Sequence, residues 1–154
     1  MGQHCHDRRL IGEILVERGA ITSIQLRQAL AVQQGDPARP YLGEVLTNLG
    51  YVTEIDIVTA LVVQCNLPYI AVTKHIIDKD VARLIPADIA RRDRLIPLDR
   101  IGNILSVVMQ NPLDEKMRRE VELLTGCRIA TFISTRSEID QALSRLYPLS
   151  GDKF

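Results

Sequence analysis

The amino-acid sequence predicts an α+β fold: tandem helical hairpins with four short helices, followed by a small α/β subdomain with a mainly antiparallel sheet. Three observations support this prediction. One segment with helical periodicity occurs twice within the first 64 residues. Two apolar runs, 95–99 and 104–109, are separated by a stretch containing a Gly-Asn pair, which is typical of a β-hairpin. Helical segments with capping signals surround these runs.

The composition indicates a folded protein with no excess of either charge. The chain has 154 residues, 46% of them hydrophobic, and its 19 basic residues balance 19 acidic ones. This balance argues against a general DNA- or RNA-binding protein, which carries a basic excess. No apolar run reaches the roughly 18–20 residues that a membrane span needs, and no apolar signal core follows the N-terminal residues. We therefore expect a cytoplasmic protein without direct membrane insertion.

The cysteines predict neither a disulfide framework nor a metal site. Cys5, Cys65 and Cys127 are an odd number without CxxC spacing, so reduced thiols are expected. The tract His4-Cys5-His6 contains soft metal ligands, but it lacks a fourth ligand and a scaffold. A chance cluster at the N-terminus is the favoured interpretation, and we predict no bound metal.

The first half of the chain is a tandem repeat. Residues 10–33 align with residues 41–64 without a gap, and ten of the 24 positions are identical. The identical pairs are Gly12/Gly43, Glu13/Glu44, Leu15/Leu46, Gly19/Gly50, Thr22/Thr53, Ile24/Ile55, Ala29/Ala60, Leu30/Leu61, Val32/Val63 and Gln33/Gln64. A repeat of this length indicates one supersecondary unit used twice.

Each copy is predicted to form a helix, a turn and a second helix. Gly19 and Gly50 end the first helices, because glycine takes the left-handed C′ conformation without strain. Thr22-x-x-Gln25 and Thr53-x-x-Asp56 have the form of capping boxes that open the second helices. The order of these signals therefore predicts two helical hairpins.

Two repeated features are left unexplained by this helical pattern. Gly12 and Gly43 lie in the first turns of their helices, where glycine is about 1 kcal/mol less favourable than alanine. We expect a close approach to the backbone there, by a neighbouring helix or by a ligand. Gln33 and Gln64 end the second helices in an apolar register. They are interpreted either as solvated or capping ends or as ligand contacts.

The doubled pattern R-L-G-x-x-L-V-x-x-G-x-I-x-x-x-x-L-x-x-A-L-x-x-Q resembles the MshEN-type N-terminal domain of type II secretion and type IV pilus assembly ATPases. The later segment Asn66-Leu67-Pro68-Tyr69 is similar to that family's N-x-P-aromatic junction, and the resemblance extends over residues 9–147. It implies a regulatory domain that stands alone, without the ATPase domain.

In that family the two motifs bind cyclic di-GMP, a ligand with approximate two-fold symmetry. The resemblance implies ligand contacts at Arg9, Leu10, Ile11, Gly12, Leu15, Gly19, Gln33, Tyr41, Leu42, Gly43, Leu46, Gly50, Gln64 and Asn111. Glycine at a helix start lets backbone N–H groups reach a phosphate. Leu15 and Leu46 are expected to pack on the guanine faces.

Three positions depart from the family pattern. Arg9 lies one residue earlier than the motif's arginine, and it is expected to reach the ligand from this shifted position. The second copy has Tyr41 there, which is expected to stack on a base, with Arg39 two residues before it. Asn111 stands where the family has aspartate, and its amide can still hydrogen-bond a guanine edge.

The predicted organisation is two parts with flexible tails. Residues 8–66 hold the repeat, residues 67–148 form the small α+β subdomain, and residues 1–7 and 149–154 are the tails. In the subdomain we predict helices at 80–85, 88–94, 111–125 and 135–147, and strands at 95–99, 104–109 and 128–133. Asn111 and Pro112 are expected to be the N-cap and first residue of the third of these helices.

The sequence contains no motif of an enzyme active site. It lacks the G-x-x-x-x-G-K-[ST] phosphate loop, HExxH and GxSxG. We therefore predict a non-enzymatic protein without a cofactor. It is expected to bind cyclic di-GMP and to signal to a protein partner of a secretion, pilus or signalling assembly. The alternative is a protein–protein adaptor of such a machine that has lost nucleotide binding.

Overall fold

The computed structural model describes residues 10–38, 40–112 and 114–148. The chain divides into two compact units, Met1–Asn66 and Leu67–Phe154. Within the described residues there are eight α-helices and three β-strands. The predicted α+β class is confirmed, with the first four helices in the first unit and all three strands in the second.

The four helices of the first unit follow the predicted order. They are α1 (Ile11–Glu17), α2 (Ser23–Gly35), α3 (Leu42–Asn48) and α4 (Glu54–Cys65). Helices α2 and α4 continue past Gln33 and Gln64, where they were predicted to end. Both capping boxes are confirmed. Thr22 Oγ1 accepts from the Gln25 amide at 3.1 Å, and the Thr22 amide donates to Gln25 Oε1 at 2.9 Å. Thr53 and Asp56 repeat this exchange at 3.2 and 2.9 Å.

The first helix of each copy ends in a Schellman motif. Gly19 and Gly50 both have φ of +77°, in the left-handed region that favours glycine. The Ala20 amide donates to the Leu15 carbonyl at 2.9 Å, and the Gly19 amide donates to the Val16 carbonyl at 3.0 Å. These bonds satisfy carbonyls that the helix end leaves open, and the second copy has the equivalent pair of bonds.

The core of the first unit consists of repeat-related pairs. The residues buried in it are Ile14 and Val45, Leu15 and Leu46, Ile21 and Val52, and Ala29 and Ala60. Helix α1 packs against α4, and α2 packs against α3, so each copy covers the other. The packing therefore has approximate two-fold symmetry, like an isologous interface within one chain.

The second unit is built on a three-stranded sheet of order β1-β2-β3. Its strands are β1 (Leu95–Ile101), β2 (Ile104–Met109) and β3 (Arg128–Phe132). Strands β1 and β2 pair antiparallel through a turn at Gly102-Asn103, where Gly102 has φ of +62°. Strands β2 and β3 pair parallel, because a helix crosses over between them.

Four α-helices and one turn of 3-10 helix surround this sheet. The turn is Val72–Lys74, and the helices are α5 (Lys79–Ala82), α6 (Ala87–Asp93), α7 (Glu115–Thr125) and α8 (Arg136–Leu146). The centre of the core is fully buried at Leu95, Ile96, Leu105 and Ile139. At its edge the Tyr147 hydroxyl donates to the Ala82 carbonyl at 2.7 Å, which ties the end of α8 to α5.

The predicted start of α7 was wrong. The helix begins at Glu115, and Asp114 is its N-cap, because Asp114 Oδ1 accepts from the Met117 amide at 3.0 Å. Asn111 instead belongs to a turn before the helix, where its carbonyl accepts from the Asp114 amide at 3.3 Å. The first helix of this unit, predicted at 80–85, is Lys79–Ala82 and so ends earlier than predicted. It begins at Lys79, since Asp78 caps it.

We expect Gly50→Ala to lower the free energy of unfolding by about 1 kcal/mol, because alanine is strained at positive φ. A Cβ atom at Gly50 would meet nothing within 4 Å, so the loss is conformational and not steric. Gly35→Ala is the matched control, since Gly35 ends α2 in open space without positive φ. Urea denaturation followed by circular dichroism measures both variants. An equal effect in both would contradict the conformational account.

We expect Tyr147→Phe to lower stability by about 1 kcal/mol at neutral pH, through loss of the bond to Ala82. Burial raises the pKa of Tyr147 from 10.0 to about 12. Between these values the unfolded chain ionises and the folded chain does not, so this contribution falls as the pH rises. The difference from wild type should therefore shrink above pH 10 and change sign before pH 12, because a rise of the pKa from 10.0 to about 12 outweighs one hydrogen bond.

Melting temperatures across this pH range test the Tyr147 prediction. Tyr41→Phe is the control, since it removes an exposed hydroxyl group from the first unit. A difference between Tyr147→Phe and wild type that stays constant up to pH 12 would contradict the assigned pKa.

Candidate ligand-binding site of the helical repeat

The first turns of α1 and α3 lie side by side in the first unit. A Cβ atom built on Gly12 would lie 3.4 Å from Leu42 Cδ2, which places the two turns in contact. The structure thereby brings the segments 10–12 and 41–43 together. These segments are equivalent in the repeat, so they present two similar surfaces related by the approximate two-fold axis.

These two helix starts differ from the other two in the unit. Thr22 and Thr53 cap α2 and α4 through their side chains. The N-cap residues of α1 and α3 are Leu10 and Tyr41, and neither makes a side-chain capping bond. Their side chains are 69% and 47% exposed. Leu10 and Tyr41 therefore do not cap the first-turn N–H groups with their side chains, and an exposed apolar or aromatic side chain lies beside each helix start.

The glycines are explained by packing within each hairpin. A Cβ atom on Gly12 would lie 2.6 Å from Leu26 Cδ1, and one on Gly43 would lie 3.1 Å from Ile57 Cγ2. Leu26 and Ile57 are themselves repeat-related. The sequence predicted a close approach to these glycines by a neighbouring helix or by a ligand, and the structure shows that the neighbouring helix makes it.

The two repeated glutamines are in different environments. Gln33 Nε2 donates to the Pro40 carbonyl at 2.9 Å, which holds the end of α2 to the residue before Tyr41. This bond places Gln33 beside the start of α3. Gln64 is buried, with 5% of its surface exposed. One of the two interpretations was a solvated or capping end; the burial of Gln64 and the bond of Gln33 to Pro40 exclude a solvated end for both.

Leu15, Leu46, Gly19 and Gly50, which were predicted for the site, lie outside the paired first turns. Leu15 and Leu46 are 1% and 0% exposed in the core, so the expectation that they pack on guanine faces does not hold for this structure. Gly19 and Gly50 form the turns after α1 and α3. Asn111 belongs to the second unit, and Arg9 lies outside the described residues, as does Arg39. Ile11 and Leu42 are half-buried against the core of the first unit.

Sequence reasoning missed three residues that shape this region. Leu26 and Ile57 fill the space beside the glycines, and the carbonyl of Pro40 accepts the bond from Gln33. The sequence contained a pattern from which Leu26 and Ile57 could have been predicted. Each follows a glycine by the same interval in both copies, and a large side chain that repeats with a helical glycine indicates a packing partner. No such pattern identifies Pro40, because any residue supplies a carbonyl.

Two other kinds of feature, a membrane-spanning helix and a metal cluster, are absent from the described residues. Across residues 10–38, 40–112 and 114–148, no helix is long and apolar enough to cross a membrane. In the same ranges no group of three or more His, Cys, Asp or Glu side chains is arranged to hold a metal ion. The tract His4-Cys5-His6 lies outside them.

Comparison with known proteins identifies the family. The MshEN domain model matches residues 65–152, which is more than half of the chain. The chain therefore belongs to the MshEN domain family. The resemblance to this family was first seen in the repeat of residues 10–64. The family model matches the second unit instead, and it confirms the same family.

Solved structures extend the similarity to the repeat. A structure of MshE with cdg (cyclic di-GMP) is 28% identical, has a TM-score of 0.78, and covers 91% of this chain and 100% of that one. Coverage of this size includes both units. The N-terminal domain of XpsE shows the same fold, with 23% identity, a TM-score of 0.77, and coverage of 96% and 99%.

Curated relatives are much longer than this chain. The type IV pilus assembly ATPase PilB of Myxococcus xanthus is 29% identical over 141 residues, which are 92% of this chain and 25% of that protein. PilB of Thermus thermophilus is 31% identical over 147 residues, 94% of this chain and 16% of that protein. The chain thus spans a quarter or less of the PilB proteins that it matches.

We expect Gly12→Ala and Leu26→Ala to be strongly coupled. Alanine at position 12 gains up to about 1 kcal/mol of helix propensity, but its methyl group collides with Leu26 at 2.6 Å. In the Leu26→Ala background the collision is removed, so Gly12→Ala should stabilise the protein there. A double-mutant cycle by urea denaturation measures this. Additive free energies would show that Leu26 does not dictate glycine at this position.

Proposed function

We propose that this chain is a regulatory domain that binds cyclic di-GMP at the paired first turns of α1 and α3 and signals to a protein partner. The similarity to MshE with cdg carries the proposal, because it extends over 91% of this chain at a TM-score of 0.78. The partner is proposed to belong to a secretion, pilus or signalling assembly, in keeping with the PilB relatives.

The symmetry of the region fits such a ligand. Cyclic di-GMP has two equivalent halves, each with one guanine and one phosphate, and segments 10–12 and 41–43 offer two equivalent surfaces. Backbone N–H groups of a helix start favour a phosphate. Tyr41 offers an aromatic face for one base, and Leu10 offers an apolar face for the other. We propose Arg9 as the cation that faces a phosphate.

The remaining predicted contacts take supporting roles in this proposal. Gln33 positions the start of α3 through Pro40. Leu15 and Leu46 hold the two copies in register from the core. The chain is proposed to be regulatory and not catalytic, since the family model that matches it is the MshEN domain.

A specific observation favours the second candidate, a protein–protein adaptor that has lost nucleotide binding. The residues at the two helix starts, Leu10 and Tyr41, are uncharged. Exposed uncharged side chains of this size suit a protein contact as well as a base. Binding of the nucleotide itself therefore separates the two candidates.

Isothermal titration with cyclic di-GMP tests the proposal, with GTP and cyclic di-AMP as competitors. We expect selective binding of one ligand per chain. The Leu10→Ala, Tyr41→Ala double variant should bind at least about tenfold more weakly, as removal of central contact residues does. The Ile24→Ala, Ile55→Ala variant is the matched control. It also removes two exposed, repeat-related apolar side chains, but from the starts of α2 and α4.

Two outcomes would count against cyclic di-GMP binding at this place. Absence of heat from protein that melts cooperatively would favour the adaptor. Equal weakening by both double variants would remove the site from the first turns of α1 and α3.

A further inference from the structure

The second unit contains a cleft that has no part in the proposed nucleotide site. Its volume is about 790 Å³, and it lies between residues 75–77, α5, the start of α6 and the end of α8. Every residue that lines it belongs to the second unit. The cleft is partly open to solvent, and its lining combines apolar and basic side chains.

The walls of the cleft are held by hydrogen bonds. The Tyr147 hydroxyl donates to the Ala82 carbonyl at 2.7 Å and joins α8 to α5. Arg145 Nη1 and Nη2 each lie 3.4 Å from the Thr73 carbonyl oxygen, which joins α8 to the 3-10 turn. A concave surface fixed in this way binds a partner without first having to order its own walls.

The floor of the cleft is apolar. Ile85 is 1% exposed and Tyr147 is 8% exposed, so both belong to the core as well as to the cleft. Ile77 and Leu146 lie beside them and pack against the same core. An aliphatic or aromatic side chain that entered the cleft would therefore leave water for a rigid hydrophobic surface.

The rim of the cleft is basic. Lys79, Arg83 and Arg145 line it together with His75, and all four are exposed. Among the described residues that line the cleft, none is Asp or Glu. Such a cluster is notable in a chain whose 19 basic and 19 acidic residues balance. The rim should attract anionic groups.

Asp78 and Asp80 flank Lys79 and offset part of the rim's positive charge, but neither of them lines the cleft. Asp80 pairs with Arg83 at 4.0 Å, but the two side chains are 89% and 78% exposed, so the pair is weak. Asp78 caps α5 and accepts from the Asp80 amide at 2.9 Å. One further side chain at the rim, Ile76, is fully exposed, and it extends the apolar surface beyond the floor.

We propose that this cleft binds an acidic peptide segment of a partner protein. An aliphatic or aromatic side chain of the segment occupies the floor on Ile85 and Tyr147, and its carboxylates face Lys79, Arg83 and Arg145. The concave shape favours an inserted peptide over a lipid surface, because a bilayer is flat on this scale and would meet the rim alone.

The test begins with selection of phage-displayed random nonapeptides on the immobilised protein. We expect the selected peptides to share two or more Asp or Glu residues around one large apolar residue. Their affinities are then measured by fluorescence anisotropy. The Lys79→Glu, Arg83→Glu double variant should bind them at least about tenfold more weakly, as loss and reversal of facing charges does. Rising salt should weaken binding to the wild type.

The matched control is the Lys116→Glu, Arg119→Glu double variant. It makes the same change of charge at exposed positions of α7, and it should retain wild-type affinity for the selected peptides. If the Lys79, Arg83 variant does not melt cooperatively, the single Arg83→Gln variant replaces it, with an expected weakening of about threefold. The same variants are titrated with cyclic di-GMP, and we expect wild-type affinity, so a failure of the cleft is distinguished from a failure of the proposed nucleotide site.

Three results would overturn the proposal. The first is a selection without an acidic and apolar consensus. The second is peptide binding that is equally weakened by the control variant or unchanged by the cleft variant. The third is binding to phosphatidylglycerol vesicles that the cleft variant abolishes while no peptide binds, which would assign the cleft to a lipid surface.

Discussion

The packing of each repeat copy against the other is the constraint on which the first unit depends. Helix α1 lies on α4 and α2 on α3, so each apolar face is covered by its counterpart. Burial of Leu15 and Leu46 at the centre fixes the register of the copies. That register places the first turn of α1 beside the first turn of α3. The two turns form a single surface only while the copies are joined in this way.

The two units offer different chemistry for recognition. In the first unit the candidate surface combines backbone donors with the exposed side chains of Leu10 and Tyr41. Such a surface selects for shape and for stacking. In the second unit the cleft combines an apolar floor with the basic rim at Lys79 and Arg83, which selects for charge and for one inserted side chain. A nucleotide and an acidic peptide would therefore not compete through similar contacts.

Local signals in the sequence predicted most helix starts and turns. They did not predict which side chains pack in the core. Threonine caps and Gly19 act within one turn of chain, so their outcome follows from neighbouring residues. Periodicity shows that Leu15 is on an apolar face, but it does not tell a core from a base-stacking surface. The start of α7 was missed because Asn111 and Asp114 are both good caps three residues apart, and only the observed bond to Met117 decides between them.

The two-fold relation between the copies has a consequence for how the fold can vary. Identical hairpins packed in this way would form a homodimer that dissociates on dilution. One chain that carries both copies makes the association intramolecular, with an effective concentration set by the short connection around Pro37. It also allows each copy to acquire substitutions independently, which is not possible in a homodimer of identical chains. Leu10 and Tyr41 show that divergence, because one symmetric position now has two different side chains.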